Sequence, residues 1–149
     1  MNNIKKTTIM SKDGVSYLIP FILITSCFAL WGFANDITNP MVKAFSKIFR
    51  MSVTDGALVQ VAFYGGYFFI AIPASLVIKK TSYKVAILIG LTLYIGGCTL
   101  FFPASHMATY TMFLAAIFAI AIGLSFLETA ANTYSSMIGP KAYATLRLN

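Results

Sequence analysis

Four apolar runs, each long enough for a helix to cross a lipid bilayer, dominate this chain of 149 residues. The runs extend approximately over residues 16–44, 55–78, 83–102 and 108–136. A helix rises about 1.5 Å per residue, so about 20 apolar residues cross a hydrocarbon core about 30 Å thick. We therefore predict an all-α fold, a polytopic transmembrane helix bundle with four helices.

The composition agrees with a membrane protein, because only 10% of the residues are charged and 58% are hydrophobic. An ordinary soluble domain is about 25% charged. A net charge of +7 would suggest nucleic-acid binding in a soluble protein. Here the basic residues flank the apolar runs, as membrane topology requires, and no basic stripe is interleaved with aromatic residues. We expect the lipid bilayer as a partner and no nucleic acid.

Turn residues delimit the predicted spans. We expect Thr54 to cap the second helix, Thr81 or Ser82 to cap the third, and Pro103 to end the third. After Gly139-Pro140, residues 142–149 begin another helical pattern. The chain therefore contains four spans and the start of a fifth, with no internal domain boundary.

The distribution of Lys and Arg predicts the orientation of the bundle. If four helices alternate in direction, eight basic residues lie on the side of the N-terminus and three on the other side: Lys5, Lys6, Lys12, Lys79, Lys80, Lys84, Lys141 and Arg147 against Lys43, Lys47 and Arg50. Basic residues accumulate in cytoplasmic loops, so we expect a cytoplasmic N-terminus.

Two carboxylates lie inside, or at the end of, these apolar runs: Asp36 in the first and Glu128 in the fourth. An ionisable group in a membrane helix costs about 2.5–3.5 kcal/mol on the insertion scale and by default marks an ion or substrate path. The pair therefore indicates a proton-coupled transporter rather than a soluble enzyme.

The first run ends in polar residues that recur at helical spacing, namely Asn35, Asp36, Asn39 and Lys43. One interpretation is a polar helix face that lines a water-filled cavity for a sugar or ion. The other is that the helix ends earlier and residues 35–40 form an outer loop. Pro40 removes a backbone donor there and fits either interpretation.

The fourth run has a clearer polar face, formed by Ser125, Glu128, Asn132 and Ser135 or Ser136. Burial without a cationic partner favours a neutral carboxyl, so we expect Glu128 to take up and release a proton during a cycle. The alternative is a neutral Glu that only hydrogen-bonds between helices.

Other residues carry weaker signals. Gln60 and Tyr64 share a face of the second helix and are candidate cavity-lining residues. Trp31 fits either stacking on a sugar ring or packing, and Gly65-Gly66 and Gly96-Gly97 suit close helix approach. Cys27 and Cys98 lack metal-ligand spacing, and nucleophile, phosphate-binding and metal motifs are missing from the sequence. We expect no enzyme activity, no cofactor and no metal.

Three stretches resemble the bacterial L-fucose permeases, which are sugar:proton symporters of the major facilitator superfamily. FALWGFANDITNPMVKAF, residues 28–45, is similar to their first helix. FLETAANTYSSMIGPKAYATLRLN, residues 126–149, is similar to the fourth helix and the entry to the fifth. FYGGYFFIAIPASLVIKKTSYKVAILIGLTLY, residues 63–94, also resembles this family. The resemblance covers nearly the whole chain after about residue 17.

The resemblance implies roles for both carboxylates. In that family a first-helix Asp and a fourth-helix Glu act in proton coupling and sugar binding within a central cavity, and these match Asp36 and Glu128. It also implies twelve helices in two halves, so residues 1–149 would be an incomplete N-terminal half without the C-terminal half that transport needs. Thr133 stands where the family is expected to have Pro, and Ala142 where it is expected to have an acid.

The leading hypothesis is sugar:proton symport across the bacterial cytoplasmic (inner) membrane by the intact protein, with L-fucose or a related monosaccharide as substrate. Asp36 and Glu128 would couple protons to sugar, and the candidate cavity-lining residues are Asn35, Asn39, Asn132, Gln60 and Tyr64. Alternatives are an inactive truncated remnant, a non-catalytic membrane subunit, and a small dimeric four-helix exporter.

Overall fold

A computed structural model describes residues 11–12, 15–107 and 109–148 of the chain. Two short antiparallel strands, β1 (Ser11–Lys12) and β2 (Val15–Ser16), precede the helices. Four long helices follow: α1 (Leu18–Ile48), α2 (Val53–Lys80), α3 (Tyr83–His106) and α4 (Tyr110–Met137). A 3₁₀ turn (Lys141–Tyr143) then leads into the short helix α5 (Ala144–Leu148).

All four long helices contain a segment that is long and apolar enough to cross a membrane. The predicted all-α transmembrane bundle is confirmed. More than half of the apolar segment of α4 is buried inside the bundle, against less than a fifth of each other segment. Helix α4 is therefore the centre of the bundle; it packs most extensively on α3, then on α2, then on α1.

Helix α1 continues through Pro40, so the alternative in which residues 35–40 form a loop is wrong. With 31 residues the helix is about 46 Å long, which exceeds the hydrocarbon thickness of about 30 Å. Asp36 therefore lies in the C-terminal half of a continuous helix. Pro40 lacks the N–H that would otherwise donate to the carbonyl of Asp36, so the backbone is more polar at this turn.

The helix ends differ from the expected ones at two positions. Ser52, rather than Thr54, caps α2: its hydroxyl accepts from the Asp55 N–H at 3.2 Å, while the Asp55 carboxylate accepts from the Ser52 N–H at 2.9 Å. This reciprocal capping box satisfies two backbone donors, which Thr54 inside the first turn cannot do. Pro103 does not end α3, which continues to His106.

Helices α3 and α4 approach each other closely because glycines remove side chains at their crossing. A Cβ atom on Gly90 would lie 2.8 Å from the carbonyl oxygen of Gly123, and one on Gly123 would lie 2.7 Å from that of Gly90. A Cβ atom on Gly97 would lie 2.9 Å from the Ile120 nitrogen. Small residues at such contacts let membrane helices gain van der Waals energy along their backbones.

The sequence prediction for glycine pairs is half right. Gly66 and Gly97 contact neighbouring helices, whereas the positions beside them, Gly65 and Gly96, have open space around them. The adjacent glycines therefore form internal controls for packing.

Replacing Gly97 with Ala should destabilise the bundle, whereas replacing Gly96 with Ala should leave it unchanged or slightly more stable. The methyl group added at position 97 would meet the α4 backbone, and overpacking of this kind costs about 1–3 kcal/mol. At Gly96 the change only reduces backbone freedom, which favours the helix by about 0.5–1 kcal/mol. Thermal unfolding of both variants in the same detergent measures the difference. Equal melting temperatures would contradict the close α3–α4 contact.

Candidate functional site

Asp36 lies on an exposed face of α1. The opposite face packs into the bundle through Ala34 and Thr38, which are 3% and 4% exposed. At about 100° per residue, Asp36 and Lys43 project from the same side, away from α2 and α4. The carboxylate therefore faces the surface that this bundle leaves uncovered.

Glu128 lies on the central helix α4 and is half-buried. Its neighbours in the helix, Leu127 and Leu124, are fully buried in the core. Ser125, one turn before Glu128, is 1% exposed, whereas Asn132, one turn after it, is exposed. Ser135, seven residues after Glu128, is again 1% exposed, so Glu128 lies at the border between the buried and the exposed sides of α4.

Tyr67 of α2 joins three helices by hydrogen bonds. The indole Nε1 of Trp31 on α1 donates to the Tyr67 hydroxyl at 2.8 Å. The hydroxyl of Ser125 on α4 donates to the Tyr67 backbone carbonyl at 3.0 Å. We call Trp31, Tyr67 and Ser125 the three-helix junction.

The three-helix junction lies between the two carboxylates along the bundle. Asp36 is five residues beyond Trp31 on α1, and Glu128 is three residues beyond Ser125 on α4. The two helices run in opposite directions if consecutive helices alternate, so the carboxylates are displaced to opposite sides of the junction. At about 1.5 Å per residue their separation along the bundle axis is on the order of 10 Å.

The other predicted site residues fall into three groups. The Asn35 side chain lies near the junction and donates to the Trp31 carbonyl at 3.1 Å. On α2, Gln60 is half-buried and Tyr64 is exposed. The side chain of Asn39 lies outside the described part of the structure. Their cavity-lining roles remain predictions.

Tyr67 was missed as a site residue by the sequence reasoning. It continues the face of α2 that carries Gln60 and Tyr64, at spacings of seven and three residues. That periodicity was the available signal. The pairing of Tyr67 with Trp31 could not be predicted, because residues 36 positions apart meet only through tertiary packing.

A groove of about 570 Å³ lies between α1, α3 and α4, away from both carboxylates. Its lining is mostly apolar, with Lys84 near one end of the lining helices. Among the described residues no group of three or more His, Cys, Asp or Glu side chains could hold a metal ion. The chemistry that the described site offers is therefore proton uptake by carboxylates and hydrogen bonding by amide and hydroxyl groups.

Curated proteins similar to this chain are sugar transporters. It is 51% identical over 133 residues to the L-fucose-proton symporter of Haemophilus influenzae, covering 89% of this chain and 31% of that protein. It is 46% identical over 134 residues to the L-fucose-proton symporter of Escherichia coli, covering 90% and 31%. A glucose/galactose transporter of Brucella abortus is 35% identical over 125 residues, covering 84% and 30%. No family model matches the chain.

Solved structures agree with the sequence comparison. The transporter FucP of the major facilitator superfamily, in the outward conformation, matches with a TM-score of 0.77 and 44% identity, covering 88% of this chain and 32% of that one. The Escherichia coli fucose:proton symporter FucP with an N162A substitution matches with a TM-score of 0.74 and 45% identity, covering 90% and 32%.

The chain spans about a third of the length of the relatives that it matches. Over that third, the resemblance to L-fucose permeases is confirmed. The four apolar helices, together with these relatives, show that the chain is a multi-pass membrane protein. The relatives are transporters rather than enzymes, which agrees with the prediction of a transport protein without enzyme activity.

Replacing Ser125 with Ala should lower the free energy of unfolding by about 0.5–1.5 kcal/mol, because the Tyr67 carbonyl loses a donor from another helix. Ser105→Ala is a matched control, since the exposed Ser105 hydroxyl donates to the Phe102 carbonyl in its own helix. Unfolding by denaturant in detergent measures both variants. A Ser125 variant as stable as the Ser105 variant would contradict the interhelical bond.

Proposed function

From homology over about 90% of this chain to the N-terminal third of L-fucose-proton symporters, we propose that the chain contributes the first helices of a sugar:proton symporter. The observation that carries the proposal is the half-buried Glu128 on the central helix, next to the fully buried Leu124 and Leu127. An ionisable residue within a membrane helix is by default a candidate functional site, because its charge is costly there.

Glu128 is the proposed proton-coupling residue. Protonation removes its charge and so lowers the cost of moving the surrounding helix face into a closed, water-poor conformation. Deprotonation restores the charge and favours an arrangement in which water reaches the carboxylate. The alternating exposure of one carboxyl would thus link proton movement to the conformational cycle.

Asp36 is the proposed sugar-contacting and coupling residue. Its carboxylate accepts hydrogen bonds, and sugar hydroxyls supply the donors. The exposed face of α1 is where a second half of a transporter would close the cavity, because binding sites in such proteins lie between two structural repeats. Asn35, Asn39 and Asn132, with Gln60 and Tyr64, are proposed to line that cavity.

L-fucose is the proposed substrate, because the two relatives with 46–51% identity are named for it. The Brucella glucose/galactose transporter is less similar, at 35% identity. The proposed location is the bacterial inner membrane with the N-terminus in the cytoplasm, from the eight-to-three distribution of basic residues. The comparisons do not favour the alternatives of an inactive remnant, a non-catalytic subunit or a dimeric exporter.

Transport can be tested in a chimera in which this chain replaces the homologous N-terminal third of the Escherichia coli symporter. The unchanged chimera should accumulate L-fucose up to about 50-fold at a membrane potential of 100 mV, since one inward proton gains about 2.3 kcal/mol. Glu128→Gln should abolish accumulation and leave equal concentrations inside and outside. Asp36→Asn should raise the KM for L-fucose at least about tenfold, because a charged acceptor is lost. Radiolabelled uptake in cells lacking their own fucose symporter measures both effects.

Asp55→Asn is the matched control, because it also changes a carboxylate to an amide but lies in the capping box at the start of α2. Its uptake should equal that of the unchanged chimera. Normal concentrative uptake by Glu128→Gln would refute the role of that residue.

The proposed water-filled cavity predicts which side of α1 is reachable from outside. In a chimera with no other cysteines, a membrane-impermeant maleimide should label Asp36→Cys at least about tenfold faster than Ile37→Cys, because thiolates form in water and not in lipid. Ile37 is exposed in this bundle but on a different, apolar face, and Thr38 is buried. Thr38→Cys should remain unlabelled. Equal labelling of positions 36 and 37 would contradict a cavity on the Asp36 side.

A further inference from the structure

The Tyr67 residue holds one helix with its side chain and another with its backbone. Its hydroxyl accepts the Trp31 indole N–H from α1, and its carbonyl accepts the Ser125 hydroxyl from α4. The Tyr67 ring also packs against Phe63 in its own helix, with centroids 6.4 Å apart. Tyr67 of α2 therefore links α1 and α4 through hydrogen bonds to both.

The partners of Tyr67 in these two hydrogen bonds lie close in sequence to the two carboxylates. On α1, the Asn35 side chain donates to the Trp31 carbonyl, and Asp36 is the next residue. On α4, Ser125 lies one turn before Glu128, on the same polar face. A shift of either bonded partner would therefore move a carboxylate-bearing turn of helix.

The surroundings make these bonds hard to replace. Ser125 is 1% exposed, and Trp31 and Tyr67 are half-buried. An indole N–H that loses its acceptor is costly wherever neither water nor another acceptor replaces the lost partner. The bond between Trp31 and Tyr67 therefore favours the arrangement of α1 and α2 in which it forms.

We propose that Tyr67 is a positioning residue that sets the placement of Asp36 on α1 relative to Glu128 on α4. The inference rests on the proposed function of the two carboxylates and adds a residue to which no role has been assigned. Tyr67 acts through Trp31 and Ser125 and is not itself proposed to contact the sugar.

Tyr67→Phe isolates the side-chain half of this arrangement. It removes the acceptor of the Trp31 N–H but keeps the aromatic ring and the backbone carbonyl that Ser125 uses. Tyr94→Phe is the matched control, because it also removes the hydroxyl of a half-buried tyrosine. Tyr94 lies on α3, and that helix contributes no residue to the three-helix junction.

The bond itself can be tested in the 149-residue chain, which contains one tryptophan. With ¹⁵N-labelled tryptophan in detergent micelles, the indole N–H gives a single NMR resonance that reports Trp31. Tyr67→Phe should shift this resonance and speed the exchange of its proton with water by about tenfold or more, whereas Tyr94→Phe should change neither. An unchanged resonance in Tyr67→Phe would overturn the proposed contact.

The positioning role can be tested by uptake in the chimera with the Escherichia coli symporter. Tyr67→Phe should raise the KM for L-fucose about tenfold, with the maximal rate per transporter in the membrane changed less than about twofold. Tyr94→Phe should leave both parameters unchanged. A role confined to stability would instead lower the amount of transporter and leave its KM unchanged.

The outcomes separate the positioning role from the proposed function. If Glu128→Gln loses accumulation while Tyr67→Phe keeps its KM, the carboxylate is used but Tyr67 does not position it, and this inference is wrong. If Glu128→Gln accumulates sugar normally, the proposed function fails and the positioning role fails with it. A raised KM together with a shifted indole resonance supports both.

Discussion

The close contact between the backbones of α3 and α4 is the interaction on which the rest of the bundle depends. Lipid is as apolar as the helix surfaces, so burial from water cannot hold membrane helices together once they are inserted. Close approach at Gly90 and Gly123 supplies van der Waals contact and fixes α4 at the centre. Because α1 and α2 also pack on α4, this central helix is the common support of the helices that carry Asp36 and Tyr67.

The polar residues are then arranged in layers along this scaffold. Asp36 lies on the exposed side of α1, and Glu128 lies at the edge of the α4 core. The hydrogen bonds of Tyr67 lie between these two positions along the bundle. The two carboxylates are separated along the bundle axis by on the order of 10 Å, and the hydrogen-bonded three-helix junction lies between them. Such a division suits a symporter, in which a sugar contact and a proton site must respond to each other without merging.

The fold class could be predicted from sequence, because long apolar runs are properties of single segments. The cost of charge within such runs likewise marked both carboxylates as candidate site residues, and their roles stay predictions. Local exceptions were not predictable in the same way. Pro103 was expected to end α3, but its missing N–H is tolerated in the last turn and the helix continues to His106. The contact of Gly123 with α3 and the hydrogen bonds of Tyr67 arise only when distant segments meet, and no periodicity within one helix reveals the partner.

We expect sugar and protons to move together through a site that includes Glu128. The most direct measurement is the external pH of lightly buffered, de-energised cells that express the chimera with the Escherichia coli symporter, recorded as L-fucose is added. External pH should rise transiently with the unchanged chimera and should not rise with Glu128→Gln. Sugar entry without any pH change in the unchanged chimera, or an undiminished rise with Glu128→Gln, would contradict it.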